Sequence, residues 1–385
     1  MHDLSRIAHM EPSPIRRIYE KAITMDDIIF FSIGEPDFKT PDAVIETAVA
    51  SMRAGETHYT SNAGIADLRA AVSENLLSYD RVSYDPDGEI CVTSGGMEAL
   101  LLSLLATIDP GDEVILADPS YTNYKDQILI AKGVPVFVSV REEDGFNFRP
   151  DDLRAAITEK TRVIMLNTPA NPTGGVAGEP LLREIAKIAE EHDLIILFDE
   201  VYKYLFYGNE PFFSIARIPG MKERTLIIDS TSKTYAMTGW RCGWIAGPRR
   251  IVSNIPKIQE NVCICVPAFV QRGAAYALRN CAEDVAAMNR QYRARRDAIY
   301  EGINAIPRLS AVLPNGAFYL FVNIQKTGLT SEEFAMRLLE EGHVALAPGS
   351  AFGPSGEGFV RISYATSLEN IAEGLRRIRA FTESL

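Results

Sequence analysis

The chain has 385 residues, enough for two domains of ordinary size or one large domain with a smaller one. Hydrophobic residues at 46% and charged residues at 23% are ordinary for a globular protein. A net charge of −12 argues against a nucleic-acid-binding surface and against anionic membranes, while leaving room for a local basic pocket. The five cysteines are an odd number, and Cys263 and Cys265 lack nearby Cys or His partners for a zinc site. They read as buried thiols in a reducing compartment. The opening residues carry no apolar core of signal-peptide length, and no window approaches the ~20 apolar residues of a membrane span. A cytoplasmic location is the expectation.

Residues 15–22 carry a short helical pattern, and the apolar run from Ile28 to Ile33 ends at Gly34-Glu-Pro-Asp. From about residue 41, apolar strand runs alternate with amphipathic helices, the mark of a mainly parallel sheet wrapped by helices. The spacing predicts strands at 89–93, 113–117, 162–166, 194–198, 225–228 and 243–246. A helix begins at Met97, and another over 181–191 is apolar at core-facing spacing. Beyond Pro267 one long helical stretch (about 268–305) leads to strands near 317–324 and 358–364 that flank a helix over 331–341. The expected division is an N-terminal segment, 1–40, packed with a small α+β domain at 276–385, and a large domain at 41–275.

Reactive side chains collect after the predicted strands: Ser94-Gly95-Gly96, Asp118-Pro-Ser-Tyr121, Asn167 to Asn171-Pro-Thr-Gly, Asp199-Glu-Val-Tyr202 and Ser230-Thr-Ser-Lys233. Ligands of open parallel sheets bind outside the carboxyl ends of the strands. Five such ends aimed at one crevice make a ligand site the natural reading.

Each part has a task if the ligand is a phosphorylated pyridine aldehyde. Gly95-Gly96 opens a helix, whose bare amides and positive end suit a phosphate. Arg241 adds a fixed charge and Ser230 a hydroxyl. Asp199 ends an apolar strand, so it needs a partner, and a protonated pyridine nitrogen is one; a helix N-cap is the plainer alternative. Tyr202 and Asn171 can reach the ring oxygen, and Tyr121 can stack on the ring. Lys233 is either a solvated loop lysine or an amine ready to condense with the aldehyde.

Six motifs together resemble the class I/II aminotransferases of pyridoxal phosphate (PLP) fold type I, over essentially the whole chain. They are Gly34-Glu-Pro-Asp-Phe, Tyr59 to Arg69, Asn171-Pro-Thr-Gly, Asp199-Glu-Val-Tyr202, Ser230 to Lys233 with Arg241, and Phe359-Val-Arg361-Ile-Ser-Tyr. The resemblance implies an α/β fold with a mainly parallel seven-stranded sheet and a smaller α+β domain. It implies that Lys233 holds the cofactor as an imine, that Asp199 pairs with the pyridine nitrogen, and that Tyr202 and Asn171 contact the ring oxygen. Gly95, Gly96, Met97, Tyr121, Ser230, Ser232 and Arg241 complete the cofactor contacts. Arg361 grips the substrate carboxylate with Gly34, Tyr121 and Asn171 close by. Tyr59 reaches the phosphate of the partner subunit, which implies a homodimer with shared active sites. The freed lysine moves the Cα proton, and the amino group passes from an amino acid to a 2-oxo acid in ping-pong order.

Substrate choice is less defined. In aspartate-using members of the branch resembled, a lysine commonly follows the Gly-Gly turn and meets the side-chain carboxylate; here that position is Met97. The expectation is therefore an aromatic or other apolar amino acid, with 2-oxoglutarate as acceptor. An aspartate aminotransferase using Arg16 or Arg17 as the missing cation is the alternative, as is a PLP-dependent C–S β-lyase. A PLP-sensing regulator is disfavoured by the acidic charge and by the early start of the family pattern. No metal is expected.

Overall fold

The structure is a computed structural model that describes residues 14–208 and 211–385; residues 1–13 and 209–210 lie outside the description. So part of the expected N-terminal segment, including the opening residues without an apolar core, falls outside it. The first half runs α1 (Pro14–Ala22), β1 (Ile29–Phe30), α2 (Asp42–Arg53), α3 (Ala66–Asn75), β2 (Ile90–Thr93), α4 (Gly96–Thr107), β3 (Glu113–Asp118), α5 (Asn123–Ile130), β4 (Val134–Ser139) and α6 (Pro150–Ala155). Next come β5 (Thr161–Asn167), α7 (Glu179–Glu191), β6 (Ile195–Asp199), β7 (Thr225–Ser230), α8 (Thr231–Thr234), β8 (Gly243–Ala246), α9 (Arg249–Val252) and α10 (Ile255–Val262). The chain closes with α11 (Ala268–Asn280), α12 (Ala282–Asn304), β9 (Ser310–Ala311), β10 (Tyr319–Asn323), α13 (Ser331–Gly342), β11 (Val344–Ala345), β12 (Ala347–Pro348), β13 (Phe359–Ser363) and α14 (Leu368–Ser384).

Seven strands form the large sheet in the order β2-β8-β7-β6-β5-β3-β4. The pairs β3–β4, β3–β5, β5–β6 and β6–β7 are parallel, whereas β8 runs antiparallel to both neighbours. The central strands are apolar almost throughout because helices cover both faces. β7 is buried at every position, and α7 turns Leu182, Ile185, Ala186, Ile188 and Ala189 into that core. The sheet is therefore mainly parallel and seven-stranded, as expected. Its edge strand β4 escaped the sequence reading. Val134–Ser139 holds Pro135 and is buried only at Val138, as an edge strand that needs few ladder donors can be.

The smaller unit is a four-stranded sheet, β12-β13-β10-β9, with antiparallel pairing throughout. Helices α12 and α13 pack against it, α14 packs against those two helices, and α13 opens with a reciprocal capping box between Thr330 and Glu333. The expected long helix over 268–305 is two helices that meet at Cys281, whose φ of −102° and ψ of 27° break the turn. The N-terminal segment joins this unit: β1 pairs in parallel with β11, and α1 packs on α13. Among the described residues no helix is long and apolar enough to cross a membrane.

Candidate active site

The ladder aligns the reactive ends. Asn167 at the end of β5 pairs with Asp199 at the end of β6, and Ser230 at the end of β7 pairs with Gly243. Because β8 is antiparallel, its start lies at the same edge where its neighbours finish, and this delivers Arg241 to the crevice. The small unit closes the other side with β10 and β13, which carry Tyr319 and Arg361.

Between them lies a cavity of about 600 Å³. Gly34, Gly96, Met97, Tyr121, Asn171, Asp199, Tyr202, Ser230, Ser232, Lys233, Arg241 and Arg361 all line it. Two sequence-predicted residues do not. Gly95 sits one position behind the lining, and Tyr59 is 81% exposed on the outer surface, away from its own chain's cavity. Of the two candidate N-terminal cations, Arg16 lines the cavity while Arg17 turns away to Glu332 at 2.9 Å.

Lys233 follows β7 in the short helix α8, and its Nζ donates to the Gly34 carbonyl at 2.6 Å. Burial lowers its amine to about 8, helped by the charges of Arg361 and Arg241 and opposed by Glu35. Asp199 is 4% exposed; it accepts from the Tyr124 hydroxyl at 2.6 Å and from the Val201 amide at 3.2 Å. Burial nevertheless raises its carboxyl to about 6, against those two hydrogen bonds and the Lys233 charge. The Tyr202 and Tyr319 hydroxyls are 2.8 Å apart. A Cβ on Gly34 would stand 2.6 Å from the Tyr319 oxygen, so a glycine there lets the chain past β1 lie close to that hydroxyl. Tyr121 meets Tyr124 edge to face, with ring centroids 5.4 Å apart, and leans on Met97.

Arg361 is 4% exposed and meets no carboxylate within 4 Å among the described residues. Its Nη1 donates to Asn171 Oδ1 at 3.0 Å and its Nη2 to the Ser32 carbonyl at 2.7 Å. Its Nε has no partner. Tyr319 and Phe352 lie 4.6 and 4.9 Å from the guanidinium. A buried cation with an unsatisfied donor in a cavity is prepared for an anion. Tyr124, Tyr319 and Ser32 were not visible in the sequence reading; Tyr124 alone had a signal there, one helical turn after Tyr121.

The donor set fits a phosphorylated pyridine aldehyde. Gly95 (φ 80°) turns the chain so that Gly96 begins α4, leaving the free first-turn amides at the cavity. Arg241 packs against that turn so closely that a Cβ on Gly95 would come within 2.5 Å of its Nη2. A buried carboxylate and a lysine whose amine burial lowers to about 8 face the same space. Among the described residues no cluster has the ligands of a metal site.

The comparisons agree with this geometry. Residues 26–378 match the family model for aminotransferase class I and II. An aspartate aminotransferase of Pyrococcus abyssi is 42% identical over 97% of this chain and 96% of its own. Aromatic-amino-acid aminotransferase 2 of Thermococcus litoralis is 41% identical, again over 97% and 96%. The crystal structure of an aromatic aminotransferase from Pyrococcus horikoshii superposes with a TM-score of 0.91 at 40% identity, covering 95% of this chain and 99% of that one. The chain belongs to the class I and II aminotransferases, with the type I fold and the pyridoxal phosphate dependence of that family.

Proposed function

We propose that the cavity binds pyridoxal phosphate through Lys233 and exchanges amino groups between an aromatic or other apolar L-amino acid and 2-oxoglutarate. One observation carries the reading: a lysine whose amine is lowered to about 8 shares a cavity with a buried, partner-seeking arginine. Gly95, Gly96, Ser230, Ser232 and Arg241 would hold the phosphate, with Tyr59 of the partner subunit. Asp199 would face the pyridine nitrogen, Tyr202 and Asn171 the ring oxygen, and Tyr121 the ring face. Bound there, the cofactor supplies a carbonyl that carries the amino group and a ring that withdraws electrons.

Arg361 orients the substrate by its α-carboxylate as a two-pronged donor, and the Gly34 amide stands beside it. Lys233 Nζ, its pKa lowered to about 8 by burial, would take up the proton at the substrate Cα and hand it back. Tyr202 and Tyr319, sharing their hydroxyls, keep the ring-oxygen end free of bulk water. Met97, Leu100, Ile15 and Tyr19 are among the residues that line the cavity, and side chains of that kind suit an apolar substrate. The acceptor's second carboxylate would meet Arg16. A homodimer is part of the proposal, supported by the exposed Tyr59, and so is a cytoplasmic setting, supported by five unpaired cysteines. The division into 1–40, 41–275 and 276–385 belongs to it as well.

The test adds amino acids one at a time to the cofactor-loaded protein and follows its visible absorbance. Loss of that band with phenylalanine or tyrosine, and its return with 2-oxoglutarate, is the expected result. Pyruvate with ammonia or sulfide release would move the assignment to a lyase, and a preference for aspartate would overturn the substrate class.

A further inference from the structure

Behind the cavity, and outside its lining, lies a second set of charges. The Lys203 side chain is 0% exposed and its ammonium is enclosed by three carboxylates: Asp80 Oδ2 at 2.7 Å, Asp229 Oδ2 at 3.1 Å and Glu200 Oε2 at 3.4 Å. The rings of Tyr79 and Tyr204 lie 5.7 and 5.8 Å from it. Asp80 Oδ1 and Glu200 Oε1 have no hydrogen-bond partner. Stability is a weak reason to keep such a cluster. A buried ion pair is often no more stable than apolar residues of the same volume, and here three carboxylates compete for one ammonium.

Its placement suggests another role. Glu200 follows Asp199, Lys203 follows Tyr202, and Asp229 precedes Ser230, so three of the four members are chain neighbours of cavity residues. Asp229 and Ser230 are successive residues of β7 and face opposite ways, and Glu200 and Lys203 lie in the turn that follows β6, so the cluster backs the cavity wall. The main chain is tied in too. Asp229 Oδ1 accepts the Ser230 amide at 2.7 Å, the Glu200 amide donates to the Ile228 carbonyl at 2.9 Å, and the Tyr79 hydroxyl donates to the Lys203 carbonyl at 3.0 Å. Asp80 closes the π-helical turn Leu76–Asp80 that follows α3, outside the sheet.

We propose that Lys203 is a positioning residue, which draws the ends of β6 and β7 onto Asp80 and thereby fixes Asp199, Tyr202 and Ser230 in the geometry that binds the cofactor. The proposal rests on the site assignment above. It goes beyond that assignment by making cofactor affinity depend on a residue that touches neither cofactor nor substrate.

The experiment compares wild type and Lys203→Met. It measures the dissociation constant of pyridoxal phosphate from the apoprotein, the visible absorption maximum of the loaded protein, and the melting temperature of both forms. The expected result is a dissociation constant raised about tenfold or more, as for the loss of a support behind a ligand shell, together with a displaced absorption maximum. A lower melting temperature with unchanged affinity and spectrum would overturn the proposal, because a merely structural cluster gives that pattern. If Lys203→Met does not fold, Asp80→Asn keeps the lysine opposite Glu200 and Asp229 and removes only the anchor. An affinity weakened about threefold supports the proposal, and an unaltered one overturns it. Wild-type protein in which borohydride reduction links the cofactor elsewhere than Lys233 would instead remove the site assignment, and this proposal with it.

Discussion

Four cations among the described residues open onto the cavity, and each is held differently. Lys233 rests on a carbonyl, Arg361 on a carbonyl and an amide oxygen, and Arg241 on the carbonyls of Thr238 and Ser94. Arg16 alone is paired with a carboxylate, Glu20, one turn along α1 at 2.8 Å, and its side chain is 76% exposed. An exposed pair of that kind is worth at most about 1 kcal/mol, so a substrate carboxylate competes for Arg16 with little to displace. Arg16→Leu should therefore lower kcat/KM for 2-oxoglutarate about 10- to 100-fold, the loss of one charge-assisted contact. With phenylpyruvate as acceptor it should stay within about twofold, since on the proposed reading that substrate would lean on Met97 and Tyr19. Equal losses on both acceptors would show that Arg16 only holds α1 in place. The sequence could name Arg16 and Arg17 as alternatives but could not choose, because the choice depends on Glu332 of a helix more than 300 residues away. The same separation hid Tyr319, whose neighbours Tyr202 and Gly34 are distant in the chain.

At the scale of elements, the turn between β2 and α4 is tightly constrained. Gly95 has φ 80° and ψ 172°, a region that only glycine occupies without strain, and Arg241 fills the space where a Cβ would be. Gly95→Ala should cost about 1–3 kcal/mol in backbone strain and push the Arg241 guanidinium off the helix start. Titration of the apoprotein should show weaker binding of pyridoxal phosphate, with pyridoxal less affected because it lacks the phosphate. Equal weakening of both would place the phosphate elsewhere. The glycine pair was legible because helix starts have a local signature, and the five strand ends were legible because parallel strands buried on both faces read as apolar runs. The edge strand β4 was not, since its largely unburied positions and Pro135 dilute its pattern. The break at Cys281 was equally hidden: it separates two stretches that both read as helix, and packing rather than composition decides where they part.

Over the whole molecule, the placement of Tyr59 is the feature that one chain leaves incomplete. It is 81% exposed on a loop whose Thr60 amide donates to Cys265 Sγ at 3.4 Å, so the 59–60 and 263–265 segments sit side by side. Val262 and Ile264 are exposed there as well, at 53% and 38%. Apolar side chains grouped on a surface mark a contact face, and a two-fold dimer would turn each Tyr59 toward the other chain's cavity. The arrangement makes a quantitative forecast for mixed subunits. Lys233→Ala alone should be inactive, and Tyr59→Ala should be weak at limiting cofactor, having lost one hydrogen bond to the phosphate. Unfolded together and refolded, the two should form mixed dimers in which one site carries both defects and the other carries neither. Random pairing makes half of the dimers mixed, so about a quarter of wild-type activity should return. If Tyr59 served its own chain's cavity, each site of a mixed dimer would keep one defect and no activity would be regained. Assaying the mixture at limiting pyridoxal phosphate, beside each variant refolded alone, decides between the two arrangements.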